Sequence, residues 1–223
     1  MVFPIDLDLL YKARSVLSGR EKLYWIVGGA GSSKTTVCRN LSERHGLPVY
    51  DMDAHIYGSY HSRFTPERHP VNSAWSTSGN GLAWLLAMSW DEFNTFNQAA
   101  LPEYLDLLAE DLANTSPNSP LLIDGGICNP ALIAQVLPIR QIVCLSAPSD
   151  IDVWESAERQ SMKDAILQLP NAEEAWNKFL DFDKKITQTI EKECLENSIS
   201  ICRMKSNTSS GDFAGEVSRL MEL

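Results

Sequence analysis

The sequence predicts an α/β fold of three layers, in which helices cover both faces of a doubly wound, mostly parallel five-stranded sheet. Three observations lead to this prediction. Five short apolar segments alternate with helical patterns along the 223 residues, an order that favours a parallel sheet. The first apolar segment runs into a glycine-rich turn that opens a helix. Two later segments end in aspartates, and the carboxyl ends of strands form the rim where α/β sheets bind ligands.

The N-terminal part of the chain predicts a helix followed by a strand–helix–strand unit. Residues 6–18 carry apolar side chains at helical spacing and end at a glycine,. A short apolar strand is predicted over 23–27, a helix over 34–45 and a second strand over 47–51. Two parallel strands joined in this way imply a right-handed crossover, with the helix on one face of the sheet.

The middle of the chain predicts an irregular segment and then long helices. Residues 58–80 are rich in Ser, Pro, Asn, Gly and His, a composition typical of a loop or mobile flap. Helical patterns resume over 81–113, where Ser89 and Glu92 form a capping box,. Pro102 is expected to begin a fresh turn or to kink this helix, because proline lacks the backbone N–H.

The C-terminal half again alternates strands with helices. Strands are predicted over 121–124, 140–145 and 198–203. Ser149 and Asn171 have the residue types of N-caps and predict the starts of two helices,. The predicted helices cover residues 130–136, residues 150–168, a longer stretch after residue 171, and residues 213–221.

Length and composition predict a single domain, 1–223, with two helical additions: an insertion over 54–118 and a lid-like segment over 149–180. A content of 44% hydrophobic and 22% charged residues suits a well-buried core,. The formal net charge of −10 argues against a nucleic-acid partner, since such proteins carry a basic face,. We find no apolar run near the ~20 residues that span a bilayer and no secretory signal, and we therefore expect no membrane association and a cytoplasmic protein.

The histidines and cysteines do not predict a metal centre or disulfides. The four histidines lack metal-ligand spacing, which disfavours a zinc site,. The five cysteines are widely spaced, without a C-x-x-C pair, and most stand in apolar stretches. Buried thiols in a reducing compartment are therefore expected.

The glycine-rich turn has the pattern of a phosphate-binding loop, in which backbone N–H groups and a helix N-terminus converge on an anion. Lys34 would reach the β- and γ-phosphates of a nucleotide, and Thr35 would offer its hydroxyl to Mg²⁺. Ser33 replaces the usual last glycine and adds a Cβ close to the phosphates,. A chance turn before a surface helix is the alternative, which the strand-to-helix context disfavours. The residues predicted to bind the nucleotide are Gly28, Gly29, Ala30, Gly31, Ser32, Ser33, Lys34, Thr35 and Thr36.

Asp51 and Asp53 follow the second strand as a D-x-D pair. Their spacing directs both carboxylates to the same side if the strand persists. One would then support Mg²⁺, and the other would accept the proton of a hydroxyl group. The alternative is that both are turn residues that cap the next helix. Their position one strand–helix unit after the phosphate-binding loop favours the functional interpretation.

The segments GGAGSSKTT, YDMDAHIY and LLIDGG, in this order and spacing, resemble the P-loop small-molecule kinases. This group includes shikimate, gluconate, uridine and nucleoside monophosphate kinases. The resemblance implies that ATP or another NTP and Mg²⁺ are cofactors, and that the γ-phosphoryl group moves to a hydroxyl of a small acceptor. It assigns Asp51 and Asp124 to metal support and Asp53 to the acceptor hydroxyl. Gly125 and Gly126 would line the acceptor pocket.

The chain departs from the nucleotide kinases after this last motif. Those kinases follow the D-G pair with an aromatic residue, a proline and an arginine that binds the acceptor phosphate, whereas Ile127 and Cys128 stand here. This difference favours a neutral hydroxyl over a monophosphate as acceptor. Nucleosides, sugars, shikimate-like acids and antibiotic hydroxyls all fit a D-x-D site, and no motif distinguishes ATP from GTP or predicts the oligomeric state.

Three further residues have both a functional and a structural interpretation. Arg159, one turn before Lys163, would stabilise charge on the transferred phosphoryl group or form a surface ion pair with Glu155,. Arg63 would bind an anionic group of the acceptor or is a solvated loop charge. Trp75 would stack on a base or sugar of the substrate, or it packs in the helical insertion.

A second class of function is also compatible with the sequence. The chain would then be a nucleotide-binding regulator or slow NTPase, with the helices of 81–113 serving a protein partner. The serine in the phosphate-binding loop and the scarcity of arginines favour this alternative. The D-x-D pair favours the phosphotransferase, because it suits an acceptor hydroxyl.

Overall fold

A parallel five-stranded sheet forms the centre of the computed structural model, which describes residues 3–126, 129–147, 154, 156, 159–205 and 208–223. The strand order is β2-β3-β1-β4-β5, and every neighbouring pair is parallel. The loop after β1 thus lies where the chain changes direction across the sheet, which is the usual ligand position. The predicted fold class, a parallel α/β sheet with a P-loop, is confirmed. The strands are β1 (Leu23–Gly28), β2 (Val49–Asp51), β3 (Leu121–Asp124), β4 (Ile142–Ser146) and β5 (Ser200–Arg203).

Helices cover both faces of this sheet and extend beyond the end that carries the loop. Short π- and 3₁₀-helical turns occupy His55–Ser59 and Ile139–Gln141. No helix within the described ranges is both long and apolar enough to cross a membrane. The α-helices are α1 (Leu7–Leu17), α2 (Lys34–His45), α3 (Met52–Ala54), α4 (Pro70–Ser76), α5 (Gly81–Ala87), α6 (Trp90–Ala113), α7 (Pro130–Val136), α8 (Gln160–Leu167), α9 (Ala172–Glu196) and α10 (Ser210–Leu220).

The two faces of the sheet carry separate apolar cores. Trp25 and Val27 pack into the larger core with α1, α6 and α9, whereas Ile26 between them packs against α2 and α10. This division follows from the strand geometry, because successive side chains point to opposite faces. The central strands β1, β3 and β4 are buried on both sides, which explains why they read as apolar runs in the sequence,.

The structure corrects three of the predicted elements. Strand β2 ends at Asp51, and α3 begins immediately, so the D-x-D pair does not continue along a strand. Of the two alternatives for Pro102, the fresh turn is excluded, because helix α6 continues through it to Ala113. The segment 58–80 is partly helical, because α4 lies within it. Asn171 precedes α9 as predicted, but its side chain accepts no capping hydrogen bond.

Other predictions agree with the structure or fall outside its described part. Helix α1 lies within the predicted span 6–18, and the predicted capping box of Ser89 and Glu92 is present. Residues 160–167 of the predicted helix 150–168 form α8, whereas Ser149 lies outside the described residues. Cys128 also lies outside them, and the other four cysteines are buried free thiols, as predicted.

A buried ionic cluster joins the segment 58–80 to α6. The Asp106 side chain has no exposed surface and forms ion pairs with Lys12 at 2.8 Å and Arg68 at 2.6 Å. His69 Nε2 donates a hydrogen bond to Asp106 Oδ2 at 3.1 Å. Burial acts to raise the pKa of Asp106, but the hydrogen bonds from His69 and Lys12 and the charge of Arg68 prevail and lower it to about 2. The cluster holds the carboxylate ionised inside the protein.

Two neighbouring contacts strengthen this attachment. Glu103 is buried and accepts the backbone N–H groups of Val71 and Asn72 at the start of α4, at 2.9 and 2.8 Å. Arg63 donates to Asp111 at 2.7 Å, also on α6. The segment predicted to be a mobile flap is therefore held to α6 by charge-assisted hydrogen bonds, which are stronger than neutral ones.

Replacing Asp106 by asparagine is expected to lower the free energy of unfolding by about 3 kcal/mol, because His69, Arg68 and Lys12 lose their common anionic partner,. A fall in Tm of roughly 6–12 °C should accompany it. Glu110→Gln, a half-exposed partner of Arg68, is the matched control and should cost less than about 1 kcal/mol,. Because folding depresses the pKa of Asp106, the difference in the free energy of unfolding between wild type and Asp106→Asn is largest above the ordinary pKa of the carboxyl. This difference shrinks as the pH falls towards 2,. Equal losses in both variants would contradict this interpretation.

Candidate active site

The phosphate-binding loop is packed tightly between a strand and a helix. A Cβ at Gly28 would collide with the carbonyl oxygen of Leu145 on β4, and one at Gly29 would collide with Thr187 on α9. Gly28 and Gly31 have φ values of 149° and 73°, which L-residues rarely adopt,. Glycine is therefore required here both for space and for backbone conformation.

Ser33 adopts the left-handed conformation that a glycine normally supplies. Its φ and ψ are 65° and 23°, and it immediately precedes α2, whose first residue is Lys34. The departure from the usual motif therefore changes the residue but keeps the backbone geometry of the loop. A non-glycine residue in this region is strained by about 1–2 kcal/mol.

Ser33→Gly should raise the free energy of unfolding by about 1 kcal/mol, because glycine adopts positive φ without a Cβ clash,. Thermal unfolding should show a Tm increase of about 2–4 °C. The matched control is Ser42→Gly inside α2, which should instead destabilise by about 0.5–1 kcal/mol, since glycine disfavours helix interiors,. A Tm decrease for Ser33→Gly would show that its hydroxyl contributes more than the strain removes.

Lys34 occupies the position of the phosphate-binding lysine. Its Nζ donates to the carbonyl oxygens of Gly28 and Gly29, both at 2.9 Å. Helix α2 begins here and has no acidic residue in its first turn, so the positive end of its dipole is not offset locally. The ammonium group and the helix N-terminus thus bring positive charge to the same position,.

Three carboxylates lie around this position at the carboxyl ends of β2 and β3. Asp51 and Asp124 are register partners on the two strands. Asp124 is buried and accepts a hydrogen bond from the Thr35 hydroxyl. Burial raises the pKa of Asp124, and the charge of Asp51 adds to this effect, while the Thr35 hydrogen bond and the charge of Lys34 oppose it. The loop hydroxyl and the strand carboxylate are thus linked directly.

Asp53 joins the cluster from α3. Its carboxylate accepts the backbone N–H of Gly126, and its Oδ2 lies 3.2 Å from the position of a Cβ at Gly125, with Lys34 Cε 3.3 Å from the same point. Although its side chain reaches solvent, desolvation by the surrounding protein raises the pKa of Asp53. The charge of Lys34 opposes this, and the charges of Asp51 and Asp124 reinforce it. A carboxylate with a raised pKa beside a cation is suited to accept a proton.

Gly125 and Gly126 permit this approach of α3 to β3. Their φ values are 63° and 74°, and a Cβ on Gly126 would collide with Met52 at the start of α3. Gly126 also lines the cavity described below. Gly125 thus stands beside Asp53 and Gly126 lines the cavity, and their role in binding an acceptor stays a prediction.

The side chains at this position fit Mg²⁺ carried by a nucleotide. Within the described ranges no three His, Cys, Asp or Glu side chains form a ready-made metal cage. The donors present are the Thr35 hydroxyl and the carboxylates of Asp51 and Asp124, and Mg²⁺ commonly combines one or two carboxylates with waters and phosphate oxygens. Asp51 also caps α3 by accepting the N–H of Ala54 at 2.9 Å. Both interpretations of Asp51 made from the sequence are therefore compatible with its position.

A cavity of about 340 Å³ extends from the loop into the helical insertion. Gly28, Gly29, Ala30 and Lys34 line one end of it, together with Asp53. Helices α5, α6 and α9 supply most of the remaining wall. The cavity has the size and the mostly apolar lining of a small-molecule site.

Trp75 and Arg159 also line this cavity. Trp75 is only 8% exposed and makes an edge contact with Tyr57 at 5.7 Å between ring centroids. The Arg159 guanidinium lies 4.6 Å from the Trp154 ring centroid. Glu155, its alternative partner in the sequence, lies outside the described residues.

Arg63 is not brought to the cavity. Its guanidinium binds Asp111 and lies 3.5 Å from Glu110, with its Cζ 5.1 Å from the Tyr60 ring centroid. The interpretation of Arg63 as an acceptor-binding residue therefore has no support in its contacts. Its role in the structure is to hold the segment 58–80 to α6.

Two cavity residues, Asn129 and Asp183, were not identified from the sequence. Asn129 has the pattern of a helix N-cap before Pro130, yet its side chain makes no cap hydrogen bond. Asp183 lies on α9 and accepts the Trp154 indole N–H at 2.9 Å. The signal for Asp183 in the sequence is weak, because it consists only of a carboxylate close to Phe182 and Ile186 in a helix with an apolar stripe.

No protein-family model matches the sequence, and no curated protein matches it. Among solved structures, the protein TT1252 from Thermus thermophilus is 18% identical, with 90% of this chain and 97% of that chain covered and a TM-score of 0.48. Shikimate kinase from Acinetobacter baumannii, solved in complex with shikimate, is 20% identical, with 90% and 93% covered and a TM-score of 0.47. At this level of similarity, the chemistry of this chain has to follow from its own residues.

Proposed function

We propose that this protein is a phosphotransferase that moves the γ-phosphoryl group of ATP, or another NTP, to a hydroxyl of a small acceptor bound in the cavity. One observation carries the proposal. Lys34 on the phosphate-binding loop and Asp53 on α3 converge beside Gly125, at the end of a cavity large enough for a small molecule. A phosphate-binding cation and a proton acceptor therefore lie together next to space for a substrate.

The proposed reaction is an in-line displacement. The acceptor hydroxyl oxygen forms the new bond to the γ-phosphorus, the bond from that phosphorus to the β,γ-bridging oxygen breaks, and ADP leaves. The hydroxyl proton passes to the Asp53 carboxylate. Lys34 and the N-terminus of α2 stabilise negative charge on the phosphates, and Arg159 stabilises charge on the group in transfer.

Mg²⁺ would be held by the Thr35 hydroxyl and by Asp51 and Asp124, and it would neutralise β- and γ-phosphate charge. The protein contributes mainly positioning, which is the principal requirement of phosphoryl transfer.

Helix α5 covers the cavity beside α4 and α9. This cover would limit the access of water, which otherwise competes with the acceptor.

The test is Mg²⁺-dependent ADP release with pooled acceptors: nucleosides, monophosphates, sugars, shikimate, aminoglycosides and apolar alcohols. We expect one pool to raise turnover well above the rate without acceptor, and ³¹P NMR should show a phosphate ester in that reaction. Omission of Mg²⁺ is the control and should remove the stimulation. Tight nucleotide binding without stimulation by any pool, accompanied by a nucleotide-dependent change of oligomeric state, would instead identify a regulator or slow NTPase.

A further inference from the structure

The wall of the cavity beyond the phosphate-binding loop is apolar on three sides. Helix α5 contributes Leu85, α6 contributes Phe93 and Phe96, and α9 contributes Phe182 and Ile186. All five line the same space as Asp53. A molecule that reaches Asp53 with a hydroxyl therefore lies with most of its surface against hydrocarbon, which is favourable for apolar substrates.

This wall also lacks positive charge. Helices α5 and α6, residues 81–113, contain no Lys, Arg or His. The cations among the described lining residues are Lys34, held by loop carbonyls, and Arg159, stacked on Trp154. Lys34 stands at the loop end of the cavity, and the Arg159 guanidinium stacks on Trp154. An acceptor with a carboxylate or phosphate against α5 and α6 would thus have to bury its charge without a partner, which is strongly unfavourable.

An ammonium-bearing acceptor is also disfavoured. Asp183 is the acidic side chain of the wall, but its carboxylate accepts the Trp154 indole N–H, and its pKa, raised by burial, is lowered in part by the charges of Arg159 and Lys34. Its carboxylate is therefore already engaged by a hydrogen bond within the protein. The other lining carboxylate is Asp53, which the reaction itself requires.

Among the polar side chains that line the cavity, Asn129 has an amide whose hydrogen-bonding capacity is unused, as does the Trp75 indole N–H. The residue is 1% exposed and lines the cavity, and neither Oδ1 nor Nδ2 has a hydrogen-bond partner. An amide buried in this way costs about 1–3 kcal/mol unless another molecule satisfies it. It offers one acceptor and two donors, and so it can bind an uncharged polar group of either kind.

We propose that the acceptor is a neutral, mainly hydrocarbon alcohol that carries a second, uncharged hydrogen-bonding group recognised by Asn129. This substrate class rests on the proposed phosphotransferase function. It deepens that function by excluding acids, phosphate esters and amines as preferred acceptors. The hydroxyl lies at Asp53, the body lies against α5, α6 and α9, and the second polar group binds the Asn129 amide.

Four matched alcohols test this assignment in the presence of MgATP. Hydroxycyclohexyl-butanamide carries a neutral polar end, the corresponding butanoate is its anionic isostere, aminobutyl-cyclohexanol is the cationic analogue, and butylcyclohexanol has no second polar group. Phosphorylated product is measured by ³¹P NMR and mass spectrometry. We expect kcat/KM for the amide to exceed that for the butanoate and the amine by at least about tenfold, since an unpaired buried charge costs more than a lost neutral hydrogen bond.

Asn129→Leu keeps the approximate volume of the side chain and removes its amide. It should lower kcat/KM for the amide-bearing alcohol about tenfold, chiefly through KM, and affect kcat/KM for butylcyclohexanol much less. Its Tm should equal or exceed that of wild type, because a buried unsatisfied group is lost. Asn118→Leu on an exposed connector is the matched control and should alter neither substrate.

Leu85→Arg adds a cation to the half-buried face of α5. It should reverse the preference, with a higher rate for the butanoate and a lower rate for butylcyclohexanol. Preference of the wild type for the butanoate or the amine would overturn the assignment while leaving the phosphotransferase proposal intact. Absence of any phosphorylated product from these four and from the broader pools would overturn both.

Discussion

Replacing Lys34 by methionine is expected to lower acceptor-dependent ADP release by roughly 10²–10³-fold or more, as removal of a preorganised charge-stabilising donor does in other sites. Methionine keeps the length of the side chain but cannot bind the β- and γ-phosphates. Steady-state kinetics with saturating MgATP measure the effect. Lys22→Met, which alters an exposed lysine before β1, is the control and should leave turnover unchanged.

The same substitution has a predicted effect on stability. The charge of Lys34 opposes the increase in pKa of both Asp53 and Asp124. Without the Lys34 charge, nothing offsets the repulsion among these two carboxylates and Asp51. The pKa values of Asp53 and Asp124 should then rise further, and the free energy of unfolding at pH 7 should fall. Unchanged turnover in Lys34→Met would disprove the phosphotransferase mechanism, whatever its stability.

Most of the fold could be predicted because it depends on local patterns. The strands β1 and β3 are continuous apolar runs, and α1 and α6 carry capping residues that mark their starts. The loop residues Gly28 to Thr36 have a spacing that few other structures require. Alternation of strands and helices then constrains the sheet, since parallel neighbours need helical crossovers.

The errors arose where tertiary contacts determine the outcome. The segment 58–80 has a loop-like composition, but Glu103 and Asp106, distant in sequence, bind its backbone N–H groups and side chains and hold it on α6. The sequence leaves both interpretations of Arg63 open because its ion-pair partner Asp111 is 48 residues away. No local signal distinguishes a charge that binds a substrate from one that binds a distant helix.

The candidate site was predictable only in part for the same reason. Lys34, Asp53 and Asp124 follow strand ends, where the position in an α/β sheet implies a role. Asn129 resembles an ordinary helix cap, and its significance appears only when burial and the absence of a hydrogen-bond partner are known. The character of the cavity wall likewise depends on which faces of α5, α6 and α9 meet.

Replacing Asp53 by asparagine is expected to reduce turnover by about 10²–10⁴-fold, the usual contribution of a general base. The amide keeps the shape of the side chain but cannot take the acceptor proton. In the wild type, kcat/KM should fall as the pH decreases through the raised pKa of Asp53, because its carboxylate becomes protonated,. Asp181→Asn, on the exposed face of α9, is the control and should retain full activity.

Stability should change in the opposite direction from that of Lys34→Met. The folded state raises the pKa of Asp53 above its ordinary value, so folding favours the protonated form and stability declines as the pH rises through that pKa,. Removing the carboxylate therefore relieves repulsion from Asp51 and Asp124, and Asp53→Asn should be more stable than wild type at pH 7. This advantage should vanish near pH 3, where the wild-type carboxyl is also neutral in both states. If Asp53→Asn is inactive and less stable than wild type, the carboxylate has a structural role. If the variant is inactive and more stable, the carboxylate serves catalysis at the expense of stability.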